Sequence, residues 1–194
     1  MTSDTIMFAG LAFSSGRKPL TFARLDDDLR IQTLEKWDSS TTLSYLQESE
    51  TSLLGINIPS TQSGQKLYTD LTKKLAQAGF QPFSPKNQPK QWVVTNAQDC
   101  FRILSGHHLL PRRSLEGRLQ RSAILYEHGV HLKDPVEMFE EITRFKLIQG
   151  ILALDELPSS NELDALVAAY LAWLSLNRPG RIAPKGELVL PAEE

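Results

Sequence analysis

The sequence contains a single cysteine, Cys100. One thiol excludes an intrachain disulfide and a cysteine-only zinc site, and it fits a reducing compartment. Long apolar runs are also missing: no stretch approaches the ~20 residues that span a bilayer. The opening residues, Met1-Thr2-Ser3-Asp4-Thr5, lack the basic region and apolar core of a signal peptide. A cytoplasmic protein with no membrane partner is therefore expected. Excess charge of either sign is lacking too. With 21 Lys and Arg against 23 Asp and Glu, the net charge is −2. Any attraction for nucleic acid would have to come from a local basic patch. Repeats and low-complexity segments are absent. The content of 41% hydrophobic and 23% charged residues argues against global disorder. A chain of 194 residues is expected to form one domain, 1–194, with a sizeable core.

What is present reads as an α/β pattern. Ile6–Phe13 is an apolar strand, Ser14–Pro19 a turn, Leu20–Leu25 a second strand, and Asp26-Asp27-Asp28 another turn. Leu29–Leu34 begins with strict alternation, the mark of a half-buried strand. Three strands joined by tight turns make an antiparallel meander. Ser39–Ser49 has several Ser/Thr cap candidates and a Leu43/Leu46 pair, which predicts a helix. Ser52–Pro59 is a short apolar run ended by proline, a buried strand. Gln65–Ala78 places Leu67, Leu71, Leu75 and Ala78 on one helical face, before Gly79. Phe80–Gln91 carries three prolines and reads as an extended loop, followed by a short strand at Gln91–Thr95.

Three helices are then predicted. Ser114–His128 carries Leu115, Leu119, Ser122, Ala123 and Tyr126 along one side. Asp134-Pro135-Val136-Glu137 is a capping box with Pro at the first helical position, opening a helix with Phe139, Ile142, Phe145 and Ile148 inward. Ser159-Ser160-Asn161-Glu162 is a second capping box. It opens a helix with Leu163, Leu166, Val167, Tyr170, Leu171 and Leu174 as one stripe and Ala165, Ala168, Ala169 and Ala172 behind. Alanines on the back predict close packing on two sides. Glu187–Pro191 reads as a final strand. A strand–helix–strand unit after a meander gives a mixed sheet with helices on its faces.

That order resembles the ribonuclease H-like fold, a mixed five-stranded sheet in which the first and fourth strands lie side by side and parallel. The segments Ser114–Arg121, Leu163–Tyr170 and Gly186–Pro191 are similar to a bacterial and archaeal family of unknown function described as predicted nucleases. Its members carry a first strand ending near Gly-Ile-Asp, a Gly-Ile-Asp-Ala-Pro strand, a Glu-Val-His/Tyr-Pro segment, a Gly-Arg-x-x-Arg helix and a closing Asp-Ala helix. Here Ala12 stands where the first strand has Asp, Gly55-Ile56-Asn57-Ile58-Pro59 replaces the second motif, and Thr95-Asn96-Ala97-Gln98 aligns with the third. Of the acidic positions, only Asp164 remains. The family reaction would use two Mg²⁺ or Mn²⁺ ions about 4 Å apart. Such hard cations need oxygen ligands, carboxylates above all. Ala12 offers none, and Asn57 and Thr95 only neutral oxygens. The resemblance therefore implies a largely lost metal site and no cofactor, with Asp164 as the one remnant ligand.

Each candidate has a bland alternative. Asp164 is also a first-turn acid favoured by the helix dipole. Asn57 could hold a ligand amide or phosphate, or could cap the next turn. Arg112, Arg113, Arg118 and Arg121 could grip phosphates, Arg118 and Arg121 sharing a face at i,i+3, or could pair with Glu116 and Glu127. His107, His108, His128 and His131 do not have the spacing of a zinc site, and Cys100 reads as a small buried hydrophobe. Ser14 and Ser15 sit in a Gly-containing turn without a nucleophile or phosphate-loop pattern. The expected function is non-catalytic binding of nucleic acid or a nucleotide through Asn57, Thr95, Arg118 and Arg121. One alternative is an active hydrolase using Asp26–Asp28, Asp99, Asp155 or Glu156. Another is a structural or interaction module, for example a homodimer.

Overall fold

The computed structural model describes residues 6–48, 52–84, 90–141, 148–150 and 157–192. Its centre is a six-stranded mixed sheet. Strands β1 (Met7–Phe13), β2 (Leu20–Leu25) and β3 (Ile31–Trp37) form an antiparallel meander. β4 (Ser52–Asn57) pairs parallel with β1, and β6 (Lys90–Thr95) pairs parallel with β4. A two-residue strand, β5 (Gln81–Pro82), adds to the outer edge of β6. The order across the sheet is β3-β2-β1-β4-β6-β5.

The burial of each strand follows its place in that order. β1 is central and buried on both faces, as its apolar run demands, whereas β3 is an edge strand of half-buried and exposed residues that alternates only over Ile31–Thr33. Successive residues of a strand face opposite sides, so Leu11, Leu54 and Ile56 meet Phe22, Leu46, Leu71 and Leu75 on one side of the sheet. That side is covered by α1 (Ser39–Glu48) and α2 (Gln62–Gln77). Phe8, Ala12, Leu53 and Val93 face the other side, against α6 (Ser160–Asn177).

The close approach of α6 depends on two glycines. A Cβ on Gly10 would lie 2.0 Å from the Ala165 carbonyl oxygen, and one on Gly55 would lie 1.9 Å from that of Ala168. Ala165, Ala168, Ala169 and Ala172 are all buried, so α6 is enclosed as its alanine back predicts. Its capping box is formed by Ser159 and Glu162. Outside α6 lie α3 (Ala97–Ser105) and α4 (Leu115–Glu127), with the short α5 (Pro135–Glu141) beyond. β7 (Ile182–Lys185) and β8 (Leu188–Pro191) form a separate antiparallel hairpin. Among the described residues, no helix is long and apolar enough to cross a membrane.

Several expectations need correction. The main sheet has six strands rather than five, because β5 forms inside the Pro-containing segment expected to be loop. Residues 97–105 are a helix that the sequence reading missed, and β7 was missed as well. α4 turns a different face inward: Gly117, Arg121, Ile124 and Leu125 are buried beside Ser122, the one member of the expected stripe that is buried, while Tyr126 is 41% exposed. Leu115 and Leu119 instead join a small cluster around Met138 and Leu157. Ile148 is 82% exposed rather than inward. Ile142 and Phe145 lie outside the described residues, as does the side chain of Phe139.

Candidate functional site

The register of the sheet brings the suspected positions together. Leu11 pairs with Ile56, and Asn57 pairs with Thr95, so Ala12, Asn57 and Thr95 sit side by side at the C-terminal ends of three parallel strands. The strand alternation turns all three toward α6. The second turn of α6 delivers Asp164 to the same end, where it is 5% exposed; the first-turn acid of the helix is Glu162, not Asp164 as the sequence suggests.

What surrounds Asp164 is basic and neutral rather than acidic. Arg112 donates to its Oδ2 from Nε at 3.1 Å and from Nη2 at 2.5 Å. The same Nη2 donates to Asn161 Oδ1 at 2.7 Å. Asn57 completes the set. The Ala97 N–H can only donate, which fixes Asn57 Oδ1 toward it at 2.8 Å. Asn57 Nδ2 then faces Asp164 Oδ2 in a long 3.4 Å contact. Asn57 is thus a cap, but of α3 rather than of the turn that follows it. Burial pushes the Asp164 carboxyl above the ordinary Asp value, while Arg112 and then Arg121 pull it back.

Thr95 is fully buried, and its hydroxyl lies 2.9 Å from the Cys100 sulfur, turned away from solvent. Burial pushes the Cys100 thiol up to about 12, consistent with a small buried hydrophobe.

The helix containing Gly117, Arg118 and Arg121 holds the segment that carries Arg112. Arg121 is completely buried, and its Nη1 donates to the carbonyls of Leu110 at 3.1 Å and Gly117 at 2.8 Å. Its Nη2 donates to Gln98 Oε1 at 2.9 Å, and its guanidinium lies over the Phe101 ring at 5.6 Å. Burial lowers the Arg121 pKa and the Asp164 charge opposes that shift, but a guanidinium stays protonated at neutral pH. Arg118 donates from Nε to the Pro158 carbonyl at 3.0 Å and from Nη2 to that of Leu157, just before α6. A Cβ on Gly117 would lie 1.9 Å from the Pro111 carbonyl oxygen. Gly117 and Arg121 thus hold the 110–113 segment against α4, and Arg118 ties α4 to the residues just before α6. Ser160 ties the other side by donating to the Arg112 carbonyl at 2.8 Å. The two guanidiniums lining the cleft belong to Arg112 and Arg113, not Arg118 and Arg121.

That cleft has a volume of about 380 Å³. The N-terminal ends of α2, α3 and α6 all reach it, through Thr61 and Ser63, Asn96 and Gln98, and Asn161 and Asp164. Ser14 and Ser15 contribute hydroxyls from the turn after β1. Each helix N-terminus carries about +0.5 elementary charge. Asp164 is the one carboxylate among the described lining residues, and it is paired with Arg112.

A two-ion metal centre does not fit this set. Ala12 has no donor, Asn57 has both polar atoms engaged, the Thr95 hydroxyl contacts a thiol, and Asp164 is held by a guanidinium. Among the described residues, no group of three or more His, Cys, Asp and Glu is placed to hold a metal ion. The substitute acids lie elsewhere. Asp26–Asp28 follow β2, whose end pairs with the start of β1, at the far end of the sheet. There Asp26 caps its own turn by accepting from the Asp28 and Arg30 N–H groups. Asp99 contacts Arg102 at 3.4 Å, and Asp155 and Glu156 lie outside the described residues.

Asn161 and α3 escaped the sequence reading of the site, and Arg112, expected there as a phosphate contact or as a partner of nearby glutamates, pairs instead with Asp164. For α3 a signal existed: Asn96 caps it by accepting from the Asp99 N–H, and Gly106 closes it in the left-handed conformation. The Arg112–Asp164 pairing gave no local signal, because the two residues are 52 positions apart. In comparison with protein-family models and with curated proteins, the chain gives no match.

Proposed function

We propose that the chain is a divergent ribonuclease H-like protein, related to the predicted nucleases, that binds nucleic acid or a nucleotide in the cleft around Asp164 without cutting it. The fold assignment is supported by the β3-β2-β1-β4-β6 order, the parallel β1–β4 pair, and a last helix bringing an acid to their C-terminal ends. The observation that carries the functional reading is the Arg112–Asp164 pair. A cation supplied by the chain itself neutralises the one acid that could have held a metal. The cleft then presents Arg113, hydroxyls and three helix N-termini, which together favour phosphate over metal. In this reading Arg121 braces the segment that positions Arg112, and Arg118 ties α4 to the residues just before α6.

The test is anisotropy of labelled single- and double-stranded oligonucleotides and of a fluorescent nucleotide, across a salt series. Binding that weakens with salt is expected. Two phosphate contacts on a single strand would give a slope of about −1.4 in log K against log salt. Arg113→Gln should weaken binding and reduce that slope. No binding at low salt, or binding indifferent to Arg113, would overturn the reading. Cleavage in Mn²⁺ that Asp164→Ala abolishes would replace it with the hydrolase alternative.

A further inference from the structure

A second hollow lies elsewhere. A cavity of about 990 Å³ opens between the end of α3, the end of α4, the middle of α6 and the end of β8. It shares no lining residue with the cleft around Asp164. Its volume is at the upper end of the range for small-molecule sites, about 300–1,000 Å³. Tyr170, Leu174 and Pro191 form a buried apolar floor. Arg102, Arg181, His107 and His108 stand exposed around the rim. None of the described lining residues is acidic, in a chain whose acids outnumber its lysines and arginines 23 to 21.

The bland account is that these groups serve the negative C-terminal end of α3. The contacts show that only part of the cluster does so. Gly106 itself donates to the carbonyls of Arg102 and Ile103. His128 Nε2 lies 3.1 Å from the Leu104 carbonyl. A carbonyl only accepts, so Nε2 carries the proton in the neutral ring. Arg102 leans on Asp99 at 3.4 Å in an exposed pair, which binds weakly. The hydrogen bonds of His107 and His108 run through their backbone atoms. The helix end therefore uses Gly106 and His128, and the rings of His107 and His108 are not among its partners.

We propose that this cavity binds an organic anion with a flat apolar body. Arg102, Arg181 and the two adjacent histidines receive the head group. The body lies against Leu174 and the rings of Tyr170 and His128, whose centroids are 5.9 Å apart. Offset ring stacking favours an aromatic body over an aliphatic chain. The shared chemistry is an anionic head on an aromatic frame, with carboxylate and phosphate as its two sources.

Fluorescence titration of the full chain with 8-anilinonaphthalene-1-sulfonate tests this, with 1-naphthoate and AMP as competitors for the carboxylate and phosphate heads. One saturable site per chain is expected, displaced by at least one competitor. The exposed-residue variant Arg102→Gln/Arg181→Gln should weaken it about tenfold or more, the scale of losing hydrogen bonds to a charged group. Ala192→Trp, which fills the cavity without touching its charge, should block it. Arg113→Gln, at an exposed residue of the cleft, should leave it unchanged, so failure here is separable from failure of the cleft. Non-saturable binding, equal affinity in the Arg102→Gln/Arg181→Gln variant, or loss in the Arg113→Gln variant would each overturn the proposal.

Discussion

Replacing Arg112 with Met removes the partner of a carboxylate that is itself only 5% exposed. Breaking a fully buried ion pair from one side costs about 3–5 kcal/mol, because the remaining charge is left without compensation. The Arg112 side chain is 33% exposed. Water can therefore enter its place, and the expected cost at neutral pH is at the lower end, about 3 kcal/mol. The cost should depend on pH with a definite sign. Burial already raises the Asp164 pKa, and removing Arg112 takes away the largest opposing pull. A carboxyl whose folded pKa lies above its unfolded one contributes stability below the unfolded value and loses it as pH rises through the folded value. Arg112→Met should thus be nearly harmless at pH 4 and most destabilising above neutrality. Urea unfolding followed by tryptophan fluorescence at several pH values measures this. Arg112→Met/Asp164→Asn should recover most of the loss, since no buried charge remains. A pH-independent loss, or a double variant no better than the sum of the singles, would refute the account of the pair.

Gly55→Ala should prevent α6 from seating, because the new Cβ meets backbone at 1.9 Å. The cost should exceed the ~1–3 kcal/mol of ordinary overpacking, whereas Gly180→Ala, with open space around it, should change the melting temperature little. Arg121→Met should strand the carbonyls of Leu110 and Gly117 and the Gln98 amide. At about 1–3 kcal/mol for each unsatisfied buried group, it should destabilise the fold far more than Arg113→Gln, as calorimetry would show. Cys100 is buried with its thiol pushed up to about 12. It should react with Ellman's reagent at pH 8 only after unfolding, and rapid labelling of the native protein would contradict its placement.

The strands were legible because their apolar runs are local and bounded by turn residues; the central position of Ser52–Asn57 followed from burial on both faces. The enclosed α6 was legible from its alanines, although the need for glycine at positions 10 and 55 emerges only when helix and sheet are placed together. α4 misled because a charged residue normally points outward. Arg121 instead points inward, where backbone carbonyls satisfy it, so the apolar face that the spacing suggests is not the buried one. The suspected cluster of Ala12, Asn57, Thr95 and Asp164 does converge at one end of the sheet. What occupies that end could not be read, because the Arg112–Asp164 pair joins segments with no local pattern in common.

The charge balance of the cleft follows from the fold as much as from any side chain. Three helix N-termini end at the same place because α2, α3 and α6 each begin at the C-terminal end of the parallel strands. Their combined field favours negative charge there whatever the sequence. Carboxylates at positions 12, 57 and 95 would have satisfied that field from within and invited cations. With Ala12, Asn57 and Thr95 in their place, only Asp164 answers it, and Arg112 cancels that charge. Restoring one acid, as in Asn57→Asp, would not by itself rebuild a metal site, since Arg112 stands ready to pair with a new carboxylate beside Asp164. On the proposed reading, the field of the helices, answered from within only by an Asp164 already paired with Arg112, is what draws an anion from outside.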